Sequence, residues 1–327
     1  MSSFDWSQQT VLITGGTGFF GKKFCEILLR EKRPKKLIVF SRDELKQHDM
    51  QKAFADDEDV MRYFIGDVRD RDRLYRAMKG VDVVVHAAAL KQVPACEYNP
   101  FEAVKTNIVG ASHIIDAAID TGVQRVLAIS TDKAVNPVNL YGATKLCAEK
   151  LFVHGNAYTT GATQLSCVRY GNVVGSRGSV IPVFKQQRPS GVLTVTDARM
   201  TRFWITLDQG ANFVIRSIEL MHGGEVFVPK IPSMRIVELA KAVAPECRLT
   251  TIGIRPGEKI HEVLLTEDES RHAKAFDDFF VIIPEYSFWD DQRWADGKPL
   301  PDGFRYSSDQ NEEWMDTRQL RKIAELD

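Results

Sequence analysis

What the 327-residue chain has little of already excludes several classes of protein. Positive and negative side chains nearly balance, with 43 Lys and Arg against 44 Asp and Glu. A chain without net charge has no overall field that would attract nucleic acid or an anionic membrane, so any site for a polyanion has to be a local cluster. We therefore expect neither nucleic acid nor a membrane as a partner, and a small phosphorylated ligand instead.

Cysteine is scarce and long apolar runs are missing. The five cysteines lie far apart, with no CxxC and no metal-ligand spacing, and their odd number suits a reducing compartment. No apolar run approaches the roughly 20 residues that cross a bilayer, and no internal repeat stands out. These absences predict a cytoplasmic protein with neither a disulfide framework nor a metal site.

Short β-rich runs alternate with longer helical patterns in the first half of the chain. This alternation predicts βαβ units and an α/β fold with a doubly wound parallel (Rossmann) sheet. The predicted strands are TVLIT from Thr10, KLIVF from Lys36, RYFIG from Arg62, VDVVVHA from Val81, RVLAIS from Arg125 and TQLSCVRY from Thr163. Beyond Tyr170 the elements shorten, which indicates a smaller C-terminal substrate-binding lobe. We place the Rossmann domain at 1–172, rejoined by about 205–228, and the lobe at 173–204 and 229–327.

The segment TVLITGGTGFFG places three glycines directly after the first predicted strand and at the start of a helical pattern. Gly15, Gly18 and Gly21 fit the tight turn, the close approach of backbone to a pyrophosphate and the close helix packing of a dinucleotide-binding loop. Such a triplet also occurs in ordinary turns, so the prediction depends on the flanking strand and helix.

The choice between NAD and NADP depends on residues after the second predicted strand. NAD-binding loops carry an acidic residue about 20 positions after the glycines, whereas this chain has Ser41 and Arg42 there. Arg42 favours a 2′-phosphate and hence NADP, although Asp43 and Glu44 leave NAD open and Arg42 also fits a solvated loop. The predicted cofactor-binding residues are Gly15, Thr17, Gly18, Phe19, Phe20, Gly21, Ser41, Arg42, Lys46, Asp67, Val68, Ala87, Ala88, Lys91, Tyr141 and Lys145.

A catalytic constellation follows the fifth predicted strand. That strand ends in the run Ser-Thr-Asp-Lys at 130–133, and Tyr141 and Lys145 come shortly after it. At a spacing of four residues both side chains lie on one face of a helix, where an ammonium stabilises a phenolate. We predict Thr131, Asp132, Lys133, Tyr141 and Lys145 as catalytic residues. Asp132 and Lys133 also fit a solvated loop pair, but their place at the C-terminal end of a parallel strand favours function.

Together the motifs TGGTGFFG, HAAALK, STDK and YGATK resemble the extended short-chain dehydrogenase/reductase family. With RYGNVVGSRGSVIP, MTRFW and RPGEKIHE, the chain is similar to the inverting UDP-N-acetylglucosamine 4,6-dehydratases. The resemblance implies a tightly bound, recycled NADP and dehydration of UDP-N-acetylglucosamine with inversion at C5, opening pseudaminic acid-type sugar synthesis. It also implies a homo-oligomer, a dimer or a hexamer, associated through helices at about 100–121 and 141–158.

The resemblance also assigns roles to single residues. Tyr141 takes the proton of the C4 hydroxyl, with Thr131 orienting that hydroxyl. Lys133, kept neutral by Lys145 and the nicotinamide cation, takes the C5 proton, while protonated Asp132 helps the C6 hydroxyl leave. The substrate-binding residues implied are Lys91, Asn172, Val180 and Ile181 through their backbone, Thr194, Arg202, Arg255 and Glu258.

Other functions stay open at this point. Within enzymes, the alternatives are a nucleotide-sugar 4-epimerase and a retaining 4,6-dehydratase. Outside them, a redox-silent NADP sensor would be expected to lack Tyr141 or Lys145, and a structural protein would have no use for Asp132 and Lys133.

Overall fold

A computed structural model describes residues 4–159, 161–175, 180–285 and 291–323. Twelve α-helices lie within these ranges: α1 Phe19–Glu31, α2 Glu44–Ala53, α3 Arg71–Met78, α4 Val93–Tyr98, α5 Pro100–Val104, α6 Gly110–Thr121, α7 Leu140–Gly155, α8 Val180–Gln187, α9 Leu207–Leu220, α10 Ile236–Val243, α11 Glu267–Ser270 and α12 Thr317–Ile323. Among the described residues, no helix is both long and apolar enough to cross a membrane.

Seventeen strands complete the described secondary structure. They are β1 Thr10–Thr14, β2 Lys36–Ser41, β3 Met61–Ile65, β4 Val83–His86, β5 Arg125–Ile129, β6 Gln164–Val168, β7 Asn172–Val173, β8 Val192–Val195, β9 Thr201–Ile205, β10 Val226–Pro229, β11 Ser233–Arg235, β12 Arg248–Thr251, β13 Val263–Leu265, β14 Ala273–Ala275, β15 Phe279–Ile282, β16 Lys298–Pro299 and β17 Tyr306–Ser307. The six predicted strands are confirmed as β1 to β6.

The main sheet has ten strands in the order β16-β14-β15-β10-β6-β5-β4-β1-β2-β3. Seven neighbouring strands of this order pair in parallel, namely β10, β6, β5, β4, β1, β2 and β3. The predicted Rossmann sheet is therefore confirmed. Both faces are covered: Val11 and Ile13 of β1 pack in one apolar cluster with α1 and α9, whereas Leu12 packs in another with α3 and α6. This alternation follows from the two-residue period of a strand with a helix layer on each side.

The sheet extends further than the sequence analysis predicted. The strands β14, β15 and β16 add antiparallel to the edge of β10, although they lie in the segment 229–327 that we assigned to the lobe. Antiparallel neighbours need only short turns, so they leave no strand-helix alternation in the sequence. The division into two domains remains a prediction.

Shorter sheets and helices pack beyond the carboxyl ends of the parallel strands. Their own apolar core includes Ile181, Phe184, Leu193, Trp204 and Leu239. The pairs β8 with β12, and β9 with β7 and β11, frame this part. It faces the ends of β1, β4, β5 and β6, which is where ligands bind in open parallel sheets.

Candidate active site

A single long cavity of about 1610 Å³ runs along the carboxyl ends of the parallel strands. It begins at the loop between β1 and α1 and ends between α8, β8 and the segment around Arg255. All of the predicted site residues line it except Asp132, which is buried below its floor, and Ile181. The side chain of Ile181 lies in the apolar core, and the substrate contact predicted for this residue is one of its backbone.

The glycine loop is built as the sequence predicts. Gly15 has a φ of +67°, and a Cβ there would lie 3.0 Å from the Cα of Ala88. A Cβ at Gly21 would lie 2.5 Å from the Cα of Gly16, so only glycine allows α1 to approach the loop this closely. Gly18 caps α1 without a side-chain hydrogen bond, which leaves backbone N–H donors of the first turn to an anion.

The residues predicted to read the adenosine end lie around Asp67. Arg42 is exposed, and its guanidinium is 3.5 Å from the Asp67 carboxylate. Arg69 donates to the same carboxylate at 2.6 and 3.0 Å, and although burial works against it, this pairing lowers the pKa of Asp67. Lys46 pairs with Asp43, the N-cap residue of α2. Arg42 and Lys46, the two predicted phosphate partners, thus each have one ion-pair partner, and the contact of Arg42 is the longer of the two.

The loop after β4 is fixed from two sides. The Ala88 N–H donates to Thr14 Oγ1 at 3.2 Å. Asn107, in a π-helical turn between α5 and α6, accepts from Leu90 N–H at 2.8 Å and donates to Thr144 Oγ1 at 3.0 Å. These contacts hold Ala87, Ala88 and Lys91 along the cavity wall.

Tyr141 and Lys145 lie on one face of α7, both buried. The helix begins at Asn139, whose side chain accepts from the Gly142 N–H at 2.8 Å. Lys145 Nζ donates to the carbonyl of Ile129 at 2.7 Å. Burial raises the pKa of Tyr141 to about 12, while the Lys133 cation and a hydrogen bond with Thr131 act to lower it. Lys133 is therefore a cation that acts on the phenol in this structure, and the role predicted for Lys145 stays a prediction.

Asp132 and Lys133 form an ion pair at the cavity floor. Lys133 Nζ lies 3.0 Å from Asp132 Oδ1 and 3.3 Å from Asn172 Oδ1. The Asp132 side chain is 1% exposed, and its second oxygen, Oδ2, has no hydrogen-bond partner. The two residues are therefore not a solvated loop pair.

The charge of Lys133 differs from the expectation of a neutral amine. Burial lowers the pKa of Lys133, but the carboxylates of Asp132 and Glu262 raise it more, so the lysine is held as an ammonium. The neutral amine and the protonated Asp132 expected from the sequence lie one proton transfer away, along the 3.0 Å contact between them.

The other predicted substrate residues surround the far end of the cavity. Arg255 is exposed and 3.8 Å from Glu258, whereas Arg202 is buried and donates to the carbonyls of Thr201, Ile260 and Lys259. Because those contacts occupy much of the Arg202 guanidinium, Arg255 is the more available of the two arginines for a diphosphate. Thr194 is engaged in two hydrogen bonds with Gln187, through its N–H at 3.0 Å and its Oγ1 at 2.7 Å.

Several polar residues that line this cavity were not predicted from the sequence, among them Glu262, Lys259 and Gln187. Glu262 stands inside the motif RPGEKIHE, immediately before the apolar run of β13. A carboxylate next to a short apolar run was the available signal, the same one that identifies Asp132 after β5. Gln187 and Lys259 carry no comparable signal.

The comparisons with known proteins agree with this geometry. A family model described as polysaccharide biosynthesis protein matches residues 11–284. The chain belongs to the polysaccharide biosynthesis protein family. Among its members, a protein of Campylobacter jejuni named UDP-N-acetylglucosamine 4,6-dehydratase (inverting) is 50% identical over 97% of this chain and 98% of its own length. The family-level resemblance stated above is thereby confirmed.

Other members and neighbours show how far the family's likeness extends. A Rickettsia conorii protein named UDP-glucose 4-epimerase is 42% identical over 84% of this chain and 82% of its own length. The structure of Pen from Bacillus thuringiensis is 38% identical, with a TM-score of 0.89 over 99% of both chains. A dTDP-glucose 4,6-dehydratase from Streptomyces venezuelae with NAD bound, covering 77% of this chain and 86% of its own, is 23% identical with a TM-score of 0.67, which shows a shared fold alone.

Proposed function

We propose that the protein is a hydro-lyase that removes water from UDP-N-acetylglucosamine, using NADP, to give a 4-keto-6-deoxy sugar inverted at C5. The observation that carries this proposal is the buried Asp132–Lys133 ion pair beside Tyr141 at one cavity wall. The inverting dehydratase of Campylobacter jejuni, 50% identical over nearly the whole length, supports it. Its product would open a route to pseudaminic acid-type sugars.

The residues around the glycine loop fit a dinucleotide. Cβ atoms at Gly15 and Gly21 would fill the space that the loop needs for its close contacts, and the first turn of α1 offers free N–H donors. The cofactor-binding residues predicted above are proposed to hold it, with Lys145 and Tyr141 at the nicotinamide end. When bound, the cofactor would supply a hydride acceptor and donor, so the reaction would have no net oxidation.

Tyr141 is proposed to remove the proton from the C4 hydroxyl of the sugar. Its phenol lies next to Thr131, which is placed to orient that hydroxyl. Because burial alone holds the phenol protonated, the Lys133 cation is needed to favour the phenolate. Oxidation at C4 then makes the neighbouring C5 hydrogen acidic.

Lys133 and Asp132 are proposed to perform the elimination as a pair. A proton passes from Lys133 Nζ to Asp132 Oδ1, across 3.0 Å, to give an amine and a carboxylic acid. The amine takes the C5 proton, the C6–O bond breaks, and Asp132 gives its proton to the departing oxygen, which leaves as water. The pair returns to the ion pair that the structure shows. A proton delivered to C5 from the opposite face inverts that centre.

The substrate is proposed to lie between the ion pair and the exposed Arg255. Lys91 and Asn172, which line the cavity, are proposed at the sugar, and Arg255 with Glu258 at the diphosphate. The backbone near Val180 and Ile181 is proposed to contact the sugar nucleotide, with Thr194 at the uracil. Arg202 already donates to backbone carbonyls. Its proposed contact with the diphosphate can therefore use only the N–H groups that remain available.

A 4-epimerase is the second candidate, since relatives of about 42% identity carry that name. Epimerisation needs Tyr141 but no acid and base for the elimination at C5 and C6. We expect incubation with UDP-N-acetylglucosamine to yield a product lighter by one water in mass spectrometry. A product of unchanged mass with the opposite configuration at C4 would overturn the dehydratase in favour of the epimerase.

We also propose a homo-oligomer formed through α5–α6 and α7. Large apolar side chains are exposed on or next to these helices: Tyr98, Phe101, Val109, Leu151 and Tyr158. Packing two such helices from each subunit would cover them in a four-helix bundle. Analytical ultracentrifugation at micromolar concentration tests this, and a monomer alone would contradict it.

All five cysteines are free thiols, which supports the cytoplasm as the proposed location.

A further inference from the structure

Glu262 is a buried carboxylate that the catalytic assignments leave unused. Its side chain is only 3% exposed, yet it lines the same cavity as Lys133. Its backbone is fixed on both sides by Ser308, which accepts from the Glu262 N–H at 2.9 Å and donates to its carbonyl at 2.8 Å. The strand β13 begins at the next residue. The carboxylate is therefore held by rigid backbone.

Three cations surround the Glu262 carboxylate at distances too long for ordinary hydrogen bonds. Its Oε1 lies 3.7 Å from Lys133 Nζ and 3.6 Å from Arg202 Nε. Its Oε2 lies 3.9 Å from Lys259 Nζ and has no hydrogen-bond partner although it is buried. A buried, unsatisfied charged oxygen is costly and is expected in a native structure only where it has a use.

We propose that Glu262 is a positioning residue that sets how tightly the Asp132–Lys133 pair holds its shared proton, and so sets the pH range in which the pair works. The inference rests on the proposed dehydration. The pair is active while it carries one proton in total, since it then provides both the amine for C5 and the acid for the C6 oxygen. Glu262 itself exchanges no proton in this scheme; it acts through its charge and through its contact with Lys133 Nζ.

The direction of the effect follows from charge. A second carboxylate beside the pair favours retention of protons, so it moves both the gain of a second proton and the loss of the shared one to higher pH. The charged and titratable groups that face Lys133 are Asp132, Glu262, Arg202, Lys91, Lys259 and Tyr141. Of these, only Asp132 and Glu262 are carboxylates. Replacing Glu262 therefore removes a negative charge next to Lys133 without removing a group that takes part in the reaction.

The test is the pH dependence of kcat for water loss by Glu262→Gln. The amide keeps the size of the side chain and removes its charge, so both limbs of the profile should shift to lower pH by about one unit or more. Glu262→Asp keeps the charge but withdraws it by one methylene, and should give a smaller shift in the same direction. Glu267→Gln is the matched control, because Glu267 is an exposed carboxylate of the same segment, and its profile should superimpose on that of the wild type.

A second measurement reads the charge of Lys133 without turnover. Acetic anhydride modifies only the free amine, so the labelling of Lys133 against pH, followed by mass spectrometry of its peptide, reports its proton directly. In Glu262→Gln, half-maximal labelling should occur at a pH lower by about one unit or more than in the wild type. If Glu262→Gln loses its fold, Glu262→Asp must still show the smaller shift in this assay.

The outcomes separate the two proposals. A wild-type protein that removes no water from UDP-N-acetylglucosamine contradicts the proposed function, while labelling still tests the link between Glu262 and Lys133. A wild-type protein that dehydrates, with a Glu262→Gln variant whose pH profile and labelling are both unchanged, overturns the role of Glu262 alone. A fall in kcat at every pH without any shift would likewise overturn it, because a merely structural residue would act in that way.

Discussion

Two buried charge clusters lie at the ends of neighbouring strands, and they differ in how completely their hydrogen bonds are satisfied. In the first, which we call the closed cluster, Arg169 follows β6 and pairs with Glu149 and Glu269. All five of its N–H donors have partners, at Glu149, Glu269 and the Leu264 carbonyl. Ser130 Oγ completes it with a 2.7 Å bond to Glu149.

The second, which we call the open cluster, consists of Asp132, Lys133 and Glu262. Two of its carboxylate oxygens have no hydrogen-bond partner. The distances from the Glu262 carboxylate to the neighbouring cations, which are Lys133, Arg202 and Lys259, are 3.6 to 3.9 Å. It opens on the cavity, whereas the Arg169 side chain is only 1% exposed. The same chain segment, from Glu262 to Glu269, contributes to both. The closed cluster thus ties the carboxyl end of β6 to α7 and to the segment after β13, whereas the open cluster has hydrogen-bonding capacity left over.

The largest effect is expected next to the open cluster, at Tyr141. Tyr141→Phe removes the hydroxyl that takes the C4 proton, so we expect a loss of about 10²–10⁴-fold in turnover. Because oxidation at C4 is the first step, no reduced cofactor should accumulate when substrate is added. The absorbance of the reduced nicotinamide measures this. If Tyr141→Phe formed reduced cofactor as fast as the wild type does, the assignment of Tyr141 would be contradicted.

Lys133→Met should separate the two halves of the reaction. The variant keeps the apolar stem but has no base for C5, so water loss should fall by about 10²–10⁴-fold. Oxidation at C4 should also slow, because the Lys133 cation favours the Tyr141 phenolate, but it should fall less than water loss, so reduced cofactor should appear slowly and without product. Water loss at the wild-type rate would show that another group removes the C5 proton.

A substitution in the closed cluster should lower the stability of the fold instead. Glu149→Gln leaves Arg169 buried with one carboxylate partner, which should lower the free energy of unfolding by about 3–5 kcal/mol. Urea unfolding measures it. The matched control is Glu246→Gln, which breaks an exposed pair with Arg188 of 2.6 Å and should leave the free energy of unfolding nearly unchanged. Equal costs for the two variants would remove the distinction between buried and exposed pairs on which the comparison depends.

A smaller effect is expected from Arg42, which lies in neither cluster and whose side chain is 55% exposed. Arg42→Ala should weaken binding of NADP by about 1.5–3 kcal/mol through loss of a charge-assisted hydrogen bond to the 2′-phosphate. Binding of NAD should change less, because NAD lacks that phosphate. Isothermal titration with both nucleotides measures the difference, and equal weakening would show that Arg42 does not read the phosphate.

The parts of the molecule that the sequence predicts are those with local signals. The strands β1 to β6 have apolar runs between turn residues, and the glycine loop and the Tyr141–Lys145 pair have fixed spacings on one element. The open cluster needs more than that. Asp132 and Lys133 are adjacent in sequence, but Glu262 reaches them only because β13 packs beside the turn after β5, a contact between distant segments that no periodicity encodes.

The same limit applies to the charge of Lys133 and to the edge of the sheet. From sequence, Lys145 is the cation closest to Tyr141 and the one that would neutralise Lys133. In the structure the Lys145 ammonium is occupied by the Ile129 carbonyl, and Lys133 is instead surrounded by carboxylates. A pKa depends on neighbours in space, and the antiparallel strands β14 to β16 depend on an edge that forms only after folding.

The central claim is that the open cluster eliminates water across C5 and C6 of a UDP-sugar. The most direct measurement is NMR of the product formed from UDP-N-acetylglucosamine in deuterium oxide. We predict a 6-deoxy-4-keto sugar that carries solvent deuterium at C5 and has the configuration of that centre inverted, and we predict its near absence with Lys133→Met. A product with its original C5 hydrogen, or a Lys133→Met variant that forms the deuterated product as fast as the wild type, would contradict the claim.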